Sequence, residues 1–258
     1  MVNTFFNFFL EKNLKKNVKY FSCFSFGILF VSCFPPFNFF PFLFFIFPFL
    51  FLKSYNAESK KDAFLIGWFF GLAFFILSLH WIFNSFLIRS GIFIYILPFC
   101  LIFFSLFLAF FTGFVTFLNY KFKTSINFNI IFFSIFWTLS EILRGYLFTG
   151  FPWNLLAHTI SDHNVFLQIC SIFGVYGLSF FLIYFVLSIS IFFFFLKKKG
   201  NFFLFISSFL IFFSIFLYGS NRLKNLSQET YTSNIFRLVQ PNISQEDKLK
   251  FSKLKNNY

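Results

Sequence analysis

The chain has 258 residues, of which 59% are hydrophobic and 11% are charged, and its mean hydropathy is +0.79. This composition excludes a soluble globular domain of the same length and indicates a polytopic membrane protein. The formal net charge of +13 is explained by Lys residues between apolar segments, which set topology and attract anionic lipid, so nucleic-acid binding need not be invoked.

Seven apolar runs predict membrane spans. In chain order they cover residues 18–34, 37–52, 63–83, 92–118, 126–143, 165–196 and 202–218. The first two are short and are joined through Pro35-Pro36, which predicts a tight helical hairpin. The fourth and sixth are long, so we expect them to tilt or to begin in the membrane interface. Residues 1–218 are therefore predicted to form an all-α polytopic membrane bundle of about seven transmembrane helices.

The distribution of Lys and Arg predicts the orientation of these spans. With a cytoplasmic N-terminus, twelve Lys residues lie in or beside inner connections, against Arg89 and Arg144 in the outer ones. Seven spans then place everything after residue 218 on the far side of the membrane, which in a bacterium would be the periplasmic side of the inner membrane. A cleavable signal peptide ending near Cys33 is the alternative for the N-terminus, but Pro35-Pro36 and a second apolar run follow at once, so an uncleaved span is favoured.

The composition becomes polar after residue 218. Residues 235–239 predict one short strand, closed by 240–243, and residues 245–255 predict an amphipathic helix. About 40 residues are too few to bury a core unaided. Residues 219–258 are therefore expected to be the truncated beginning of a second domain.

One charged segment stands out at the end of the fifth apolar run. Glu141 and Arg144 lie three residues apart and precede an aromatic Gly/Pro loop that contains Phe151 and Trp153. Ionised groups at membrane depth are expected to face a cavity, headgroups or the bundle interior. These four residues are predicted to bind substrate, with Arg144 on a phospholipid phosphate and the aromatic rings beside acyl chains. The alternative is a helical Glu–Arg pair that only anchors the helix end.

The pattern predicts no metal or cofactor. His158, Asp162 and His163 lie in one short loop, where solvated side chains are the more usual explanation than a metal site. The four Cys residues stand singly in apolar runs without metal-ligand spacing, and the 59 Phe residues are no cofactor signal. A transporter is disfavoured, because the spans carry few ionisable residues besides Glu141 and Arg144 and show no internal repeat.

Several motifs, in this order and spacing, resemble the N-terminal half of the bacterial apolipoprotein N-acyltransferases. They are Pro35-Pro36-Phe37, Gly67-x-x-x-Gly71 with Leu79-His80-Trp81-Ile82, Glu141-x-x-Arg144-Gly145, Phe148-Thr149-Gly150-Phe151-Pro152-Trp153, Phe173-Gly174-Val175-Tyr176-Gly177-x-Ser179, and Val239-Gln240-Pro241-Asn242-Ile243. His80 departs from the family pattern, in which an aromatic residue commonly precedes the Trp, and receives no role by resemblance.

The resemblance implies transfer of a fatty acyl chain from a phospholipid to the N-terminal amine of a diacylglyceryl-modified apolipoprotein, through a thioester. It also implies a periplasmic nitrilase-like domain with a catalytic Glu, Lys and Cys. None of these maps here, because Glu246 comes too early and no Cys follows Cys170. No catalytic residue is assigned, and the chain is expected to be a fragment that is inactive alone. A non-catalytic membrane lipid-binding or scaffold remnant is the alternative.

Overall fold

The computed structural model describes residues 15–83, 92–195, 199–224, 235–240 and 242–243. The described residues form eight α-helices: α1 Lys16–Val31, α2 Leu43–Tyr55, α3 Lys60–Leu79, α4 Ile92–Lys121, α5 Ile126–Tyr146, α6 Asn164–Leu167, α7 Cys170–Ser190 and α8 Lys199–Lys224. Short 3₁₀ segments occur at Phe40–Phe42, His80–Phe83, Leu147–Thr149 and Leu156–Ile160, and a π-helical turn at Ile191–Phe195 follows α7.

Five helical segments of the described chain are long and apolar enough to cross a membrane. They are Lys60–Ile82, Ile94–Lys121, Ile126–Thr149, Cys170–Phe193 and Asn201–Lys224. This confirms a helical, multi-pass membrane protein. The count of seven stays a prediction, because α1 has 16 residues and rises only about 24 Å, less than the roughly 30 Å of hydrocarbon. Helix α2, with Pro48 inside it, belongs to a shorter apolar segment, Phe40–Tyr55.

The run 165–196, which is expected to tilt or to begin in the membrane interface, does not form one regular helix. Helix α6 ends at Leu167, and Gly174, with φ +67°, breaks the regular geometry within α7. Two sequence expectations need correction. Helix α8 continues to Lys224, past the predicted end at 218. Residues 235–240 are irregular and exposed, so the predicted strand is not observed, and no pairing strand occurs among the described residues to supply ladder hydrogen bonds. The predicted helix over 245–255 lies outside the described residues.

Small residues let the central helix α3 approach its neighbours closely. The Thr112 hydroxyl donates to the Gly67 carbonyl at 2.9 Å, and a Cβ built on Gly67 would lie 2.3 Å from the Thr112 carbonyl oxygen. On the other side, a Cβ on Gly27 would lie 2.1 Å from the Phe70 carbonyl oxygen. Such contacts are the usual means of helix association where lipid removes the hydrophobic driving force.

A buried charge cluster joins the starts of α1 and α3. Lys19 donates to Glu58 at 2.8 Å and to Asp62 at 3.0 Å, and the Tyr20 hydroxyl donates to Asp62 at 2.9 Å. Ser59 caps α3 by accepting from the Asp62 amide. Since the two helices begin at the same end of the bundle, their C-terminal ends meet at the other end, where α5 also finishes.

Candidate functional site

Glu141 is buried near the end of α5, with 4% of its surface exposed. Its Oε1 accepts hydrogen bonds from Trp137 Nε1 at 3.1 Å and from the Leu156 backbone amide at 2.7 Å. The next amide, of Ala157, donates to the hydroxyl of Ser179 on α7 at 3.1 Å. Glu141 and Ser179 together therefore fix the Leu156–Ile160 segment between α5 and α7.

Arg144, also 4% exposed, holds the loop that leaves α5. Its Nη1 donates to the carbonyl oxygens of Phe151, at 3.1 Å, and of Trp153. The Phe151 amide donates back to the Arg144 carbonyl at 2.7 Å, and the guanidinium lies over the Phe75 ring, 5.4 Å from its centroid. A charged donor on buried carbonyls is a strong anchor, so Arg144 determines where the aromatic loop runs.

The two charged groups bond to the loop and not to each other. Their side chains attract each other electrostatically, but no salt bridge within 4 Å is found between the Glu141 carboxylate and the Arg144 guanidinium in the described part of the chain. The alternative of a Glu–Arg pair across one helical turn is thus not the geometry found. What the geometry favours is an anchor of another kind, in which each residue holds a different part of the loop.

The loop needs this support because its backbone is unusual. Phe148, Thr149 and Asn154 have positive φ angles of 52°, 74° and 53°. Gly150 has φ +84°, and a Cβ there would lie 2.1 Å from the Gly145 carbonyl oxygen. Left-handed conformations of bulky residues persist only where the surrounding structure over-determines them. The hydrogen bonds from Glu141 and Arg144 to the loop help to hold its backbone in this conformation.

The anchored loop presents an aromatic cluster at the end of the bundle. Trp153 stacks on Trp81, with ring centroids 5.2 Å apart, and on Phe151 at 5.7 Å. Phe151 also packs edge-on against Phe104 of α4 at 5.1 Å. The two Trp rings are 43% and 49% exposed, which suits amphipathic rings at a membrane interface.

An open groove of about 540 Å³ lies beside this cluster, between the α1–α2 connection, the end of α3 and the loop. Its lining comprises Val31, Phe34, Pro35, Pro36, Phe37, Leu77, Ser78, His80, Trp81, Asn154, His158 and Ser161. Burial, and secondarily the charge of Arg144, lower the pKa of His158 below its ordinary value, so its imidazole is held neutral. The groove thus has a largely apolar lining with a few hydrogen-bonding groups.

A second groove, of about 430 Å³, opens on the other side of the loop between α4 and α5. It is lined entirely by apolar side chains, namely Leu106, Phe107, Phe110, Phe111, Phe114, Leu143, Leu147 and Phe148. Phe148 closes one end and packs edge-on against Phe107 at 5.4 Å. The positive φ of Phe148 is what turns its ring outward onto this groove.

The loop histidines do not assemble a metal centre in the residues described. His158, Asp162 and His163 belong to no group of three metal-ligating side chains there. Asp162 instead accepts a hydrogen bond from the Asn38 side-chain amide, which joins the loop to the α1–α2 connection.

Comparison with known sequences decides the family. The sequence profile of the apolipoprotein N-acyltransferase N-terminal domain matches residues 26–188. The chain belongs to the apolipoprotein N-acyltransferase family. The Rickettsia bellii enzyme is 32% identical over 211 residues, which is 79% of this chain and 42% of that protein. The Rickettsia prowazekii enzyme is 33% identical over 227 residues, which is 88% of this chain and 45% of that protein. The Rhodopseudomonas palustris enzyme is 34% identical over 149 residues, which is 56% of this chain and 28% of that protein.

The site lies inside the part shared with other apolipoprotein N-acyltransferases. All of Glu141, Arg144, Phe151 and Trp153 fall within residues 26–188, as do both grooves. The chain itself spans less than half the length of the Rickettsia relatives. The sequence analysis did not identify Asn154 or the other polar residues that line the open groove. An Asn directly after an aromatic Gly/Pro loop indicates a positive φ angle, but the contacts of its side chain depend on the fold.

Proposed function

We propose that the chain forms the membrane-embedded, phospholipid-binding part of an apolipoprotein N-acyltransferase in the bacterial inner membrane. The main observation in support of this proposal is that residues 26–188, which match the family, include the lining of both grooves beside the anchored loop. The proposed reaction of the complete enzyme moves a fatty acyl chain from a phospholipid to the N-terminal amine of a diacylglyceryl-modified apolipoprotein. In this proposal α1 and α2 also cross the membrane, so there are seven spans, with the N-terminus cytoplasmic and residues after 218 periplasmic.

The apolar groove between α4 and α5 is proposed to hold an acyl chain. Its volume of about 430 Å³ lies within the usual range of small-molecule sites, and its lining has no polar side chain. An acyl chain in it would be ordered by rings on both sides, whereas an acyl chain in the bilayer has no fixed neighbours. Phe148 joins this groove to the loop that also carries Phe151 and Trp153.

The four predicted substrate-binding residues then divide into two roles. Phe151 and Trp153 contact the lipid near its glyceryl region, since Trp153 keeps nearly half of its surface exposed. Glu141 and Arg144 position them through their bonds to the loop. Direct binding of a phosphate by Arg144 requires its Nη1 to release two carbonyls, so we propose it only for a rearranged, lipid-bound loop.

Bond making is proposed to occur outside the helical bundle. A thioester route requires an accessible thiolate, yet Cys23 and Cys33 are fully buried, and Cys100 and Cys170 are partly buried among apolar helices. Residues 219–258 are proposed to begin the periplasmic nitrilase-like domain that would supply a Glu, a Lys and a Cys. We therefore expect the 258-residue chain to bind the acyl donor without transferring it.

Photocrosslinking tests the acyl groove. The purified chain in nanodiscs would be irradiated with a phospholipid carrying a diazirine on its acyl chain, and the labelled peptides identified by mass spectrometry. We expect labelling at the groove wall, and its loss in Leu143→Trp, which fills the groove. Leu210→Trp on α8 is the matched control, because Leu210 is also exposed but lies away from the groove. Equal groove labelling in both variants would contradict the proposal.

A separate variant tests the role of Arg144. Arg144→Gln removes the charge and leaves an amide that can still donate to one loop carbonyl. If Arg144 only positions the loop, thermal stability falls, and the affinity for a phospholipid falls by the same factor as the affinity for a diacylglycerol, which has no phosphate. A loss confined to the phosphate-bearing lipid would show direct phosphate binding.

A further inference from the structure

A small cavity lies beneath the aromatic loop, between α3, α4 and α5. Its volume is about 20 Å³, and it is lined by Phe74, Phe75, Phe111, Thr112, Trp137, Ser140, Glu141, Arg144 and Asn154. Such a volume exceeds the 10 to 15 Å³ or so that one water needs and is too small for a larger molecule. Five of the nine lining residues are polar, so the cavity differs from an ordinary apolar packing defect.

Two buried polar atoms of the lining have no hydrogen-bond partner among the described protein groups. They are Oε2 of Glu141 and Nδ2 of Asn154. The other carboxylate oxygen, Oε1, is already bonded to Trp137 and Leu156. The Ser179 hydroxyl is near the carboxyl group, but it does not meet hydrogen-bond geometry at Oε2.

The two unpartnered atoms are chemically complementary. A carboxylate oxygen accepts and an amide nitrogen donates, so a molecule able to do both can satisfy both. Leaving them unsatisfied costs about 1 to 3 kcal/mol each, and more for the charged group. Both atoms belong to residues that line the same cavity, so one molecule bound there could satisfy both of them.

The lining includes one positively charged residue, Arg144, and one negatively charged residue, Glu141. Their charges are opposite, so the cavity has no net charge that would favour an ion over a neutral molecule. A neutral molecule with both donor and acceptor capacity fits this lining, and the volume limits it to the size of water.

We propose that this cavity binds one water molecule, which donates to Glu141 Oε2 and accepts from Asn154 Nδ2. The second proton of the water can be donated to the Ser140 hydroxyl oxygen. That hydroxyl donates its own proton to the Phe111 carbonyl at 3.2 Å, so its oxygen can still accept a hydrogen bond. The bound water makes three hydrogen bonds, the number typical of buried waters.

This water would connect the buried carboxylate to the open groove. Asn154 lines both the small cavity and the groove of about 540 Å³, so its side chain forms the partition between them. The Asn154 backbone has φ +53°, a conformation that Asn tolerates and most residues do not. The water therefore holds a conformationally unusual residue in the wall of the groove.

A structure of the full chain in lipid at a resolution that shows ordered water tests the proposal directly. We expect one density peak in the cavity, within hydrogen-bond distance of both Oε2 and Nδ2. An empty cavity, a direct bond between Asn154 and Glu141, or a peak with the coordination distances of a metal ion would each overturn it.

A double-mutant cycle tests the connection in solution. Glu141→Gln and Asn154→Gly would each lower the unfolding temperature in nanodiscs, and Gly preserves the positive φ at position 154. If one water bridges them, the double variant loses less than the sum of the two shifts. Asn242→Gly is the control, since Asn242 is exposed and has a similar φ of +54°; it should be additive with Glu141→Gln. Additive shifts for Asn154→Gly as well would contradict the bridge.

Discussion

Gly150 and Gly174 provide a matched pair for testing how tightly the loop is held against α5. Both have positive φ angles, +84° and +67°, and replacement by Ala strains the backbone at either one. Only Gly150 is also in close contact: its Cβ would lie 2.1 Å from the Gly145 carbonyl oxygen, whereas a Cβ on Gly174 meets nothing within 4 Å. The difference between the two Ala variants therefore isolates the close approach of the loop to the helix.

The expected magnitude follows from the contacts that must move. Backbone strain costs about 1 to 3 kcal/mol in each variant and largely cancels between them. In Gly150→Ala the loop must also retreat by about 1 Å to reach van der Waals distance, given a carbon–oxygen contact of roughly 3.3 Å. That retreat disturbs the 2.7 Å bond from the Phe151 amide to Arg144 and the bonds from Arg144 Nη1. Weakening these buried bonds adds about 2 to 4 kcal/mol.

Thermal unfolding in nanodiscs measures this difference. At about 2 to 4 °C per kcal/mol for a chain of this size, Gly150→Ala should unfold roughly 5 to 15 °C below Gly174→Ala. Near-ultraviolet circular dichroism gives a local readout, because only Gly150→Ala should disturb the stacked Trp81–Trp153 pair. Equal unfolding temperatures with an unchanged aromatic spectrum would refute the conclusion that the loop is held tightly on α5.

Two further predictions concern groups away from the loop backbone. Asp62→Asn should lower the free energy of unfolding by about 1 to 3 kcal/mol, because the buried Lys19 then keeps only the half-exposed Glu58 as a charged partner. Glu58→Gln should cost at most about 1 kcal/mol in the same thermal assay. Because the pKa of His158 is lowered in the folded chain, the unfolded chain binds a proton at this residue more readily. The stability that the neutral His158 contributes should therefore be fully present above about pH 6.5 and should be lost as the pH falls from there toward the folded-state pKa. His158→Gln should flatten that pH dependence, and an unchanged pH profile would contradict a partly buried, neutral imidazole.

The broad architecture could be predicted because membrane insertion leaves a direct signature in sequence. Uninterrupted apolar runs and the Pro35-Pro36 connection correspond to α1 to α5 and α8. The break inside 165–196 was harder to predict, since a Gly in an apolar helix often serves packing and only the structure shows that Gly174 has a positive φ. The strand predicted at 235–239 failed for another reason: strand patterns describe half-buried surfaces, and here these residues are exposed.

The candidate site could be located from the sequence, because burying charged residues is costly and Glu141 and Arg144 therefore stand out. The hydrogen-bond partners of these two residues could not be predicted from their spacing. Glu141 and Arg144 are three apart, which suggests a pair on one helix face, yet each finds its partners in the following loop. Those partners are backbone groups of Phe151, Trp153 and Leu156, and every residue type offers the same backbone donor and acceptor. Sequence therefore identifies which side chains must be satisfied, and only the three-dimensional path of the loop shows what satisfies them.

This arrangement explains how ionised groups can be buried next to an exposed aromatic surface. A phosphate-binding Arg would need an exposed guanidinium, whereas a loop with several positive φ angles needs an internal scaffold that does not compete with lipid. Arg144 and Glu141 supply that scaffold from below, and they leave the exposed faces of Trp81 and Trp153 for the interface. The charges thus shape the exposed surface of the loop. In the proposed function, the aromatic and apolar residues that they position are the ones that contact lipid.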